Sequence, residues 1–192
     1  MLGIFLDTEA NGLDWQVHCM IEISFILIDL KSGKKVDSYS SLIQIQPEEW
    51  KRSDPVSLSF TGITWEELQK GKERSQVKKE ILEIFKKAGI SRKTAIFIGQ
   101  NPSFDRILLS SLISITEQES LKWPYIWLDL ASMFFAKEAT GENIDSLELS
   151  KDKIAKFYEL PPEKRPHRAL RGVEHLIACY EAVVGKSIQE SV

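Results

Sequence analysis

Phe5-Leu6-Asp7-Thr8-Glu9-Ala10-Asn11-Gly12 is the stretch on which the fold of this chain turns. Leu2, Ile4, Phe5 and Leu6 make a short apolar run that reads as a strand. Asn11-Gly12 is a turn signal that ends it. In an extended chain residues i and i+2 point to one face, so Asp7 and Glu9 stand side by side at the strand's end. Two such carboxylates repel unless a cation joins them, and hard divalent ions take oxygen ligands. Read alone, the same residues equally describe a strand end with two solvated acids.

Outward from this strand, Ile21 to Asp29 reads as a second, well-buried strand, and Lys31-Ser32-Gly33-Lys34 as a turn. Val36 to Ile45 reads as a third strand in a hairpin with the second. Three strands with no helix between them predict an antiparallel meander. Short helices are expected over Val56–Phe60 and Trp65–Lys70. Val77, Ile81, Leu82, Ile84, Phe85 and Ala88 share one helical face, closed by Gly89. A fourth strand, Thr94–Gly99, leads into a helix from Pro102 to Ile115, and Tyr125–Leu128 is a short fifth strand. Helices follow over Asp129–Lys137, Ser150–Tyr158 and His167–Val184. Strands joined through helices pair in parallel. The expectation is an α/β domain with a mixed five-stranded sheet flanked by helices, over residues 1–184, with 185–192 a C-terminal tail.

Composition narrows the function classes. The 192 residues are 43% hydrophobic and 28% charged, as in an ordinary globular domain. The net charge of -3 advertises no nucleic-acid partner, so such a partner must be met by a local patch or by metal ions. Cys19 and Cys179 have no metal-ligand spacing and make no disulfide framework. No secretory leader pattern and no apolar run long enough to span a bilayer is present. A cytoplasmic protein without a membrane partner is expected.

Two further stretches carry chemistry. In Gly99-Gln100-Asn101-Pro102-Ser103-Phe104-Asp105 a strand feeds a helix, with Asn101 suited to the cap and Pro102 to the first turn. Leu108, Leu109 and Leu112 put Asp105 on that helix's core-facing side, where an acid needs a partner. The other stretch is Pro166-His167-Arg168-Ala169-Leu170-Arg171-Gly172-Val173-Glu174, with His167 at the mouth of the last helix.

Together the three stretches resemble the DEDD 3′–5′ exonucleases of the RNase H-like fold, in the subgroup that uses histidine (DEDDh). That family includes the epsilon subunit of DNA polymerase III and RNase T. Its D-x-E-x-x-G motif matches Asp7, Glu9 and Gly12, its N-x-x-F-D motif matches Asn101, Phe104 and Asp105, and its H-x-A-x-x-D motif matches His167 and Ala169. Thr61-Gly62-Ile63 is similar to the family's T-G-I segment, and Asp129 to its acid after the fifth strand.

The resemblance implies a metal-dependent nuclease cutting phosphodiester bonds at single-stranded 3′ ends, of DNA or RNA. It implies two divalent ions, Mg2+ or Mn2+, with Asp7, Glu9 and Asp105 as metal ligands and His167 as the base for the attacking water. Thr8, Leu13, Trp15, Thr61, Ile63, Asn101 and Phe104 become candidates for substrate binding, since aromatic stacking tolerates any base. Arg168 and Arg171 could meet phosphates. A polymerase or other replication or repair partner would bind in trans.

One departure stands against this. The family's fourth metal aspartate falls five residues after the histidine, which here is Gly172. Glu174 lies two positions on, about 200° around a helix, and cannot simply substitute. The water-activating ion thus lacks a carboxylate ligand. This keeps a second reading open: a weakened or non-catalytic nucleic-acid-binding or polymerase-associated module of the same fold. A small-molecule phosphohydrolase is a third, with no feature that prompts it.

Overall fold

The computed structural model describes residues 1–185, so most of the expected tail, 186–192, lies outside the described residues. The strands are β1 (Leu2–Ala10), β2 (Met20–Asp29), β3 (Lys35–Leu42), β4 (Ala95–Gly99) and β5 (Trp127–Asp129). The helices are α1 (Pro47–Trp50), α2 (Pro55–Thr61), α3 (Trp65–Gln69), α4 (Arg74–Lys87), α5 (Ser103–Leu112), α6 (Ile115–Ser120), α7 (Leu130–Glu138), α8 (Lys151–Phe157) and α9 (Ala169–Val184). The five strands form one sheet in the order β3-β2-β1-β4-β5. β1–β2 and β2–β3 are antiparallel, while β1–β4 and β4–β5 are parallel, as expected from the meander and the crossovers. This is the mixed sheet of the RNase H-like fold. Among the described residues no helix is long and apolar enough to cross a membrane.

Burial on both faces explains why β2 reads as a continuous apolar run rather than an alternating one. On one face Ile4, Leu6, Phe25, Leu27 and Phe97 pack with Val77, Ile81 and Phe85 of α4 and with Leu108 and Leu109 of α5. On the other, Phe5, Ile26, Ile28 and Ile98 pack with Phe134 of α7, Ile154 of α8 and Val173 and Leu176 of α9. The Phe5 and Tyr180 rings meet edge-on at 5.0 Å, pinning α9 to the central strand.

This two-faced packing positions the site. Odd residues of β1 share the Phe5 face, so Asp7 and Glu9 look towards α9. Thr8 shares the Ile4 and Leu6 face and looks towards α5. The β1–β4 pairing ends at Phe5↔Ile98, whereas β1–β2 continues through Asp7↔Ser24 to Glu9↔Glu22. The last turn of β1 therefore stands beyond the end of β4, in the crevice where open sheets of this kind hold ligands.

Local chemistry moved several boundaries. β3 stops at Leu42 rather than Ile45, because Ile43 and Gln44 turn to pair with Lys72. The helix expected from Pro102 to Ile115 ends at Leu112. Ile113 is extended, and the Ser114 hydroxyl accepts from Glu117 N to start α6 afresh. Asn101 is left-handed (φ 47°), so the cap position falls to Pro102. α9 begins at Ala169, not His167, because Arg168 is extended. Helix α1 was not foreseen; the Glu49 carboxylate, accepting the Gln46 N–H at 2.7 Å, and Pro47 at the first helical position start it.

Candidate active site

Asp7, Thr8 and Glu9 from β1, Ser150, Lys151 and Asp152 at the start of α8, and Glu163 and His167 from the α8–α9 loop line one cleft of about 340 Å3. Asp105, 6% exposed, joins from α5: its Oδ1 accepts the Thr8 hydroxyl at 2.6 Å. Asp7, Glu9, Asp105 and His167, separated by up to most of the chain, thus meet at the end of β1.

Two contacts hold His167 over the cleft. Its backbone N–H donates to Phe60 O at 2.9 Å, and its ring lies 6.2 Å from the Phe60 ring. Gly62, left-handed at φ 62°, ends α2, and a Cβ there would stand 3.2 Å from the Pro166 side chain. The Thr61-Gly62-Ile63 segment thus seats the loop that carries His167. Ring nitrogen Nδ1 of His167 lies 3.1 Å from Glu163 Oε1. A carboxylate only accepts, so Nδ1 carries the hydrogen of the neutral ring and Nε2 keeps its lone pair.

The carboxylates crowd each other. Burial pushes Asp7 well above the usual carboxylate range, and Asp105, Glu9 and Glu163 push it further while Lys151 opposes them. Glu9 rises to about 7, through burial and the charges of Glu22 and Glu163. Asp105 rises to about 6 through burial, restrained by the bond from Thr8. Such groups shed their protons when a cation arrives.

Glu22, directly opposite Glu9, is bound by the start of α9. Arg168 Nε and Nη2 and the Ala169 backbone N–H all donate to its carboxylate, at 2.9–3.2 Å. Arg168 is thereby committed to a structural pair rather than held ready for phosphate. Glu22→Gln loses the charge-assisted fork at the start of α9. We expect a cost of about 1–2 kcal/mol, read as a fall of about 2–8 °C in Tm.

Three participants were not singled out from the sequence: Lys151, Glu163 and His175. Lys151 Nζ donates to Glu163 Oε2 at 2.8 Å and to Gly172 O at 3.3 Å. Glu163, 8% exposed, also has its backbone N–H bound to Asp152 Oδ1 at 3.0 Å. His175 Nε2 donates to Pro161 O at 3.0 Å, leaving buried Nδ1 without a hydrogen bond and 3.9 Å from Glu163 Oε2. The only prior signal was the i, i+4 spacing of Glu163 and His167.

The substrate candidates divide. Leu13 (79% exposed) and Trp15 (56%) stand out on the loop after β1, and Asn101 is exposed. Thr8 lines the cleft, and Phe104 is half-buried against the first core cluster. Thr61 is buried, its hydroxyl oxygen receiving Ile63 N. Ile63 packs with Ile21, Ile45 and Leu68 in a third apolar cluster. Arg171 donates to Pro166 O, and Glu174 is exposed on the flank of α9, as its helical offset requires. Asp129 caps α7 and accepts from Asn101 N.

The donors fit one magnesium-type ion. Such ions commonly take one or two carboxylates and complete their shell with water and substrate phosphate, and Asp7 and Glu9 would supply those two. They do not fit the two-ion set of the resemblance. Gly172 offers no ligand, a side chain there would overlap the Asp7 carboxylate, and Lys151 Nζ lies 3.3 Å from its Cβ position. Among the described residues no three His, Cys, Asp or Glu side chains converge as a ready-made metal site.

A family model described as Exonuclease, of the RNase T type, matches residues 4–180. Solved structures with this fold include E. coli exonuclease I in a zinc-bound complex with single-stranded DNA. It is 16% identical with a TM-score of 0.72, over 96% of this chain and 40% of that one. A 3′-exonuclease solved in 3′-end recognition of the histone mRNA stem-loop is 14% identical (TM-score 0.71, 98% and 65% covered). Cell-death related nuclease 4 is 14% identical (TM-score 0.73, 96% and 64% covered). The chain spans about two fifths of the exonuclease I chain.

Proposed function

This chain belongs to the RNase T-type exonuclease family, and on that premise we propose that it is a 3′–5′ exonuclease on single-stranded DNA or RNA, with residues 1–184 as its one exonuclease-like domain. The observation that carries this is that Asp7, Glu9 and His167 line a single open cleft, with buried Asp105 bonded to Thr8 of its wall. Drift after loss of function gives no reason for all four to stay together.

His167 takes the proton of the attacking water on Nε2, while Glu163 at Nδ1 steadies the imidazolium that forms. The water oxygen bonds to phosphorus, and the bond from phosphorus to the upstream 3′ oxygen breaks. That oxygen takes a proton from solvent and leaves as a 3′ hydroxyl, and His167 returns its proton to solvent. Asp7 and Glu9 would hold one Mg2+ or Mn2+, which supplies Lewis acidity at the phosphate. Thr8 fixes Asp105 beside them. Leu13 and Trp15 are the exposed apolar groups suited to the terminal base.

One observation favours a second reading, a 3′-end-binding module without turnover: the fourth carboxylate is replaced by Gly172, with Lys151 beside it. A 5′-labelled single strand incubated with Mg2+ or Mn2+ separates the two. The expected result is a ladder shortening from the 3′ end, with the rate in Asp7→Asn at least about 100-fold lower. Intact strand that is nonetheless bound establishes the second reading. Intact strand with no binding overturns both.

A further inference from the structure

We propose that the Lys151 ammonium is a built-in cation that takes the place of the second divalent ion, making this a one-ion-plus-lysine phosphodiester site. The inference rests on the one-ion reading of Asp7 and Glu9 above, and goes beyond it by assigning the other positive charge to a side chain.

Gly172 leaves a space on α9, and two groups share it. One is the Asp7 carboxylate, which leans so far onto the helix that any Cβ at 172 would overlap it. The other is Lys151 Nζ, 3.3 Å from that Cβ position and bound to Gly172 O. In this chain a cation stands where the resemblance implies a metal ligand.

The lysine is not a surface residue folded over the cleft. Its side chain is 14% exposed and its partner Glu163 4%. Taking an ammonium out of water is costly unless opposite charge surrounds it. Glu163 supplies that opposite charge, its Oε2 2.8 Å from Lys151 Nζ. Glu163 in turn has its backbone N–H bound to Asp152 Oδ1, and its carboxylate faces His175. Lysine and glutamate thus form a fixed pair at the cleft wall, next to His167. With one positive charge already set among Asp7, Glu9, Asp105 and Glu163, this reading leaves a single divalent ion to the carboxylates. The ammonium's third hydrogen is available to a phosphate oxygen, since Lys carries three donors.

The test counts ions rather than turnover. Mn2+ binding to the full chain is followed by calorimetry and by the free-ion electron paramagnetic resonance signal, and ions retained by Asp7→Asn are subtracted as unrelated. We expect Lys151→Gln to bind one more Asp7-dependent ion than the native chain, or the same number at least about tenfold more tightly. Lys151→Arg, which keeps the charge, should match the native count. An unchanged count and affinity in a folded Lys151→Gln overturns the proposal, as does an ion gained by Lys151→Arg, which stays decisive should the glutamine variant fail to fold. In EDTA the native chain should bind a 3′-hydroxyl oligonucleotide at least about tenfold more tightly than Lys151→Gln. A correct ion count with no strand shortening sinks the hydrolytic reading alone; strand shortening with two native ions sinks the lysine assignment alone.

Discussion

Gly172→Ala loses at least about 100-fold in strand-shortening rate while remaining folded. In most helices this substitution helps. Gly172 lies inside α9, its N–H bonded to Arg168 O at 2.9 Å, with no left-handed backbone that only glycine tolerates. Propensity alone then favours alanine by about 1 kcal/mol. Here the new methyl overlaps both the Oδ2 and the Cγ of Asp7. Strand β1 cannot retreat, because β2 holds it at Asp7↔Ser24 and β4 along its first half. What can move is the Asp7 carboxylate, by rotation about its two side-chain torsions. The overlap is therefore relieved at small cost in stability and at large cost in geometry, since a displacement of about 1 Å at a reacting centre can cost about 100-fold. Rates on a 5′-labelled strand should fall while Tm shifts by less than about 4 °C. An alanine variant as fast as the native chain would show that the Asp7 position described here is not the working one.

The same contact reverses a natural expectation for Gly172→Asp. By sequence that change looks like a repair, because it supplies the family's missing aspartate. In the fold it adds a Cβ where Asp7 already stands and a further carboxyl to a buried cluster whose members already raise one another's pKa. We expect it to be no more active than Gly172→Ala.

That reversal shows what the sequence could and could not convey. Asp7 and Glu9 were legible because a strand has a period of two and the apolar run before them fixes its start. Asp105 was legible because an acid on an apolar helical face stands out. His167 needed the company of the other motifs. Lys151 and Glu163 carried no such mark. One is an ordinary lysine at the first turn of a short helix and the other lies in a loop, and they acquire meaning only when α8 and α9 pack side by side. For the same reason Gly172 read only as a missing aspartate until the leaning carboxylate of Asp7 showed what fills the space beside it. Ile63 failed in the opposite direction. Its motif suggested a wall for the substrate base, but the left-handed Gly62 turns the chain so that Ile63 enters the apolar cluster beneath α3. Short motifs convey which residue types occur together; they do not convey which way a side chain points after a turn.

Asp105→Asn should raise stability as sharply as it lowers activity. Asp105 is buried, and burial lifts its pKa to about 6 from 3.8 in the unfolded chain. For a carboxyl raised on folding, the native state binds the extra proton. Its contribution to stability is intact below about pH 4 and is lost as pH rises through about 6. Two pKa units correspond to about 3 kcal/mol, an upper limit because Asp105 titrates together with Asp7, so about 1–3 kcal/mol is the working range. Asparagine removes the charge and keeps an oxygen to accept the Thr8 hydroxyl, now bound at 2.6 Å. In EDTA at pH 8 the variant should melt about 2–12 °C above the native chain. The gap should close on acidification to pH 4, where the native carboxyl is also neutral. Saturating Mn2+ should narrow it at pH 8, because an ion bound only by the folded native cluster stabilises it by mass action. The variant's strand-shortening rate should fall at least about 100-fold. A variant that melts lower than the native chain at pH 8 in EDTA would mean that the Asp105 charge is already compensated, and that the repulsion invoked for this cluster is absent. The expected combination, a more stable and less active protein from one buried atom exchange, is the behaviour of a site whose charges are held together for binding rather than for folding.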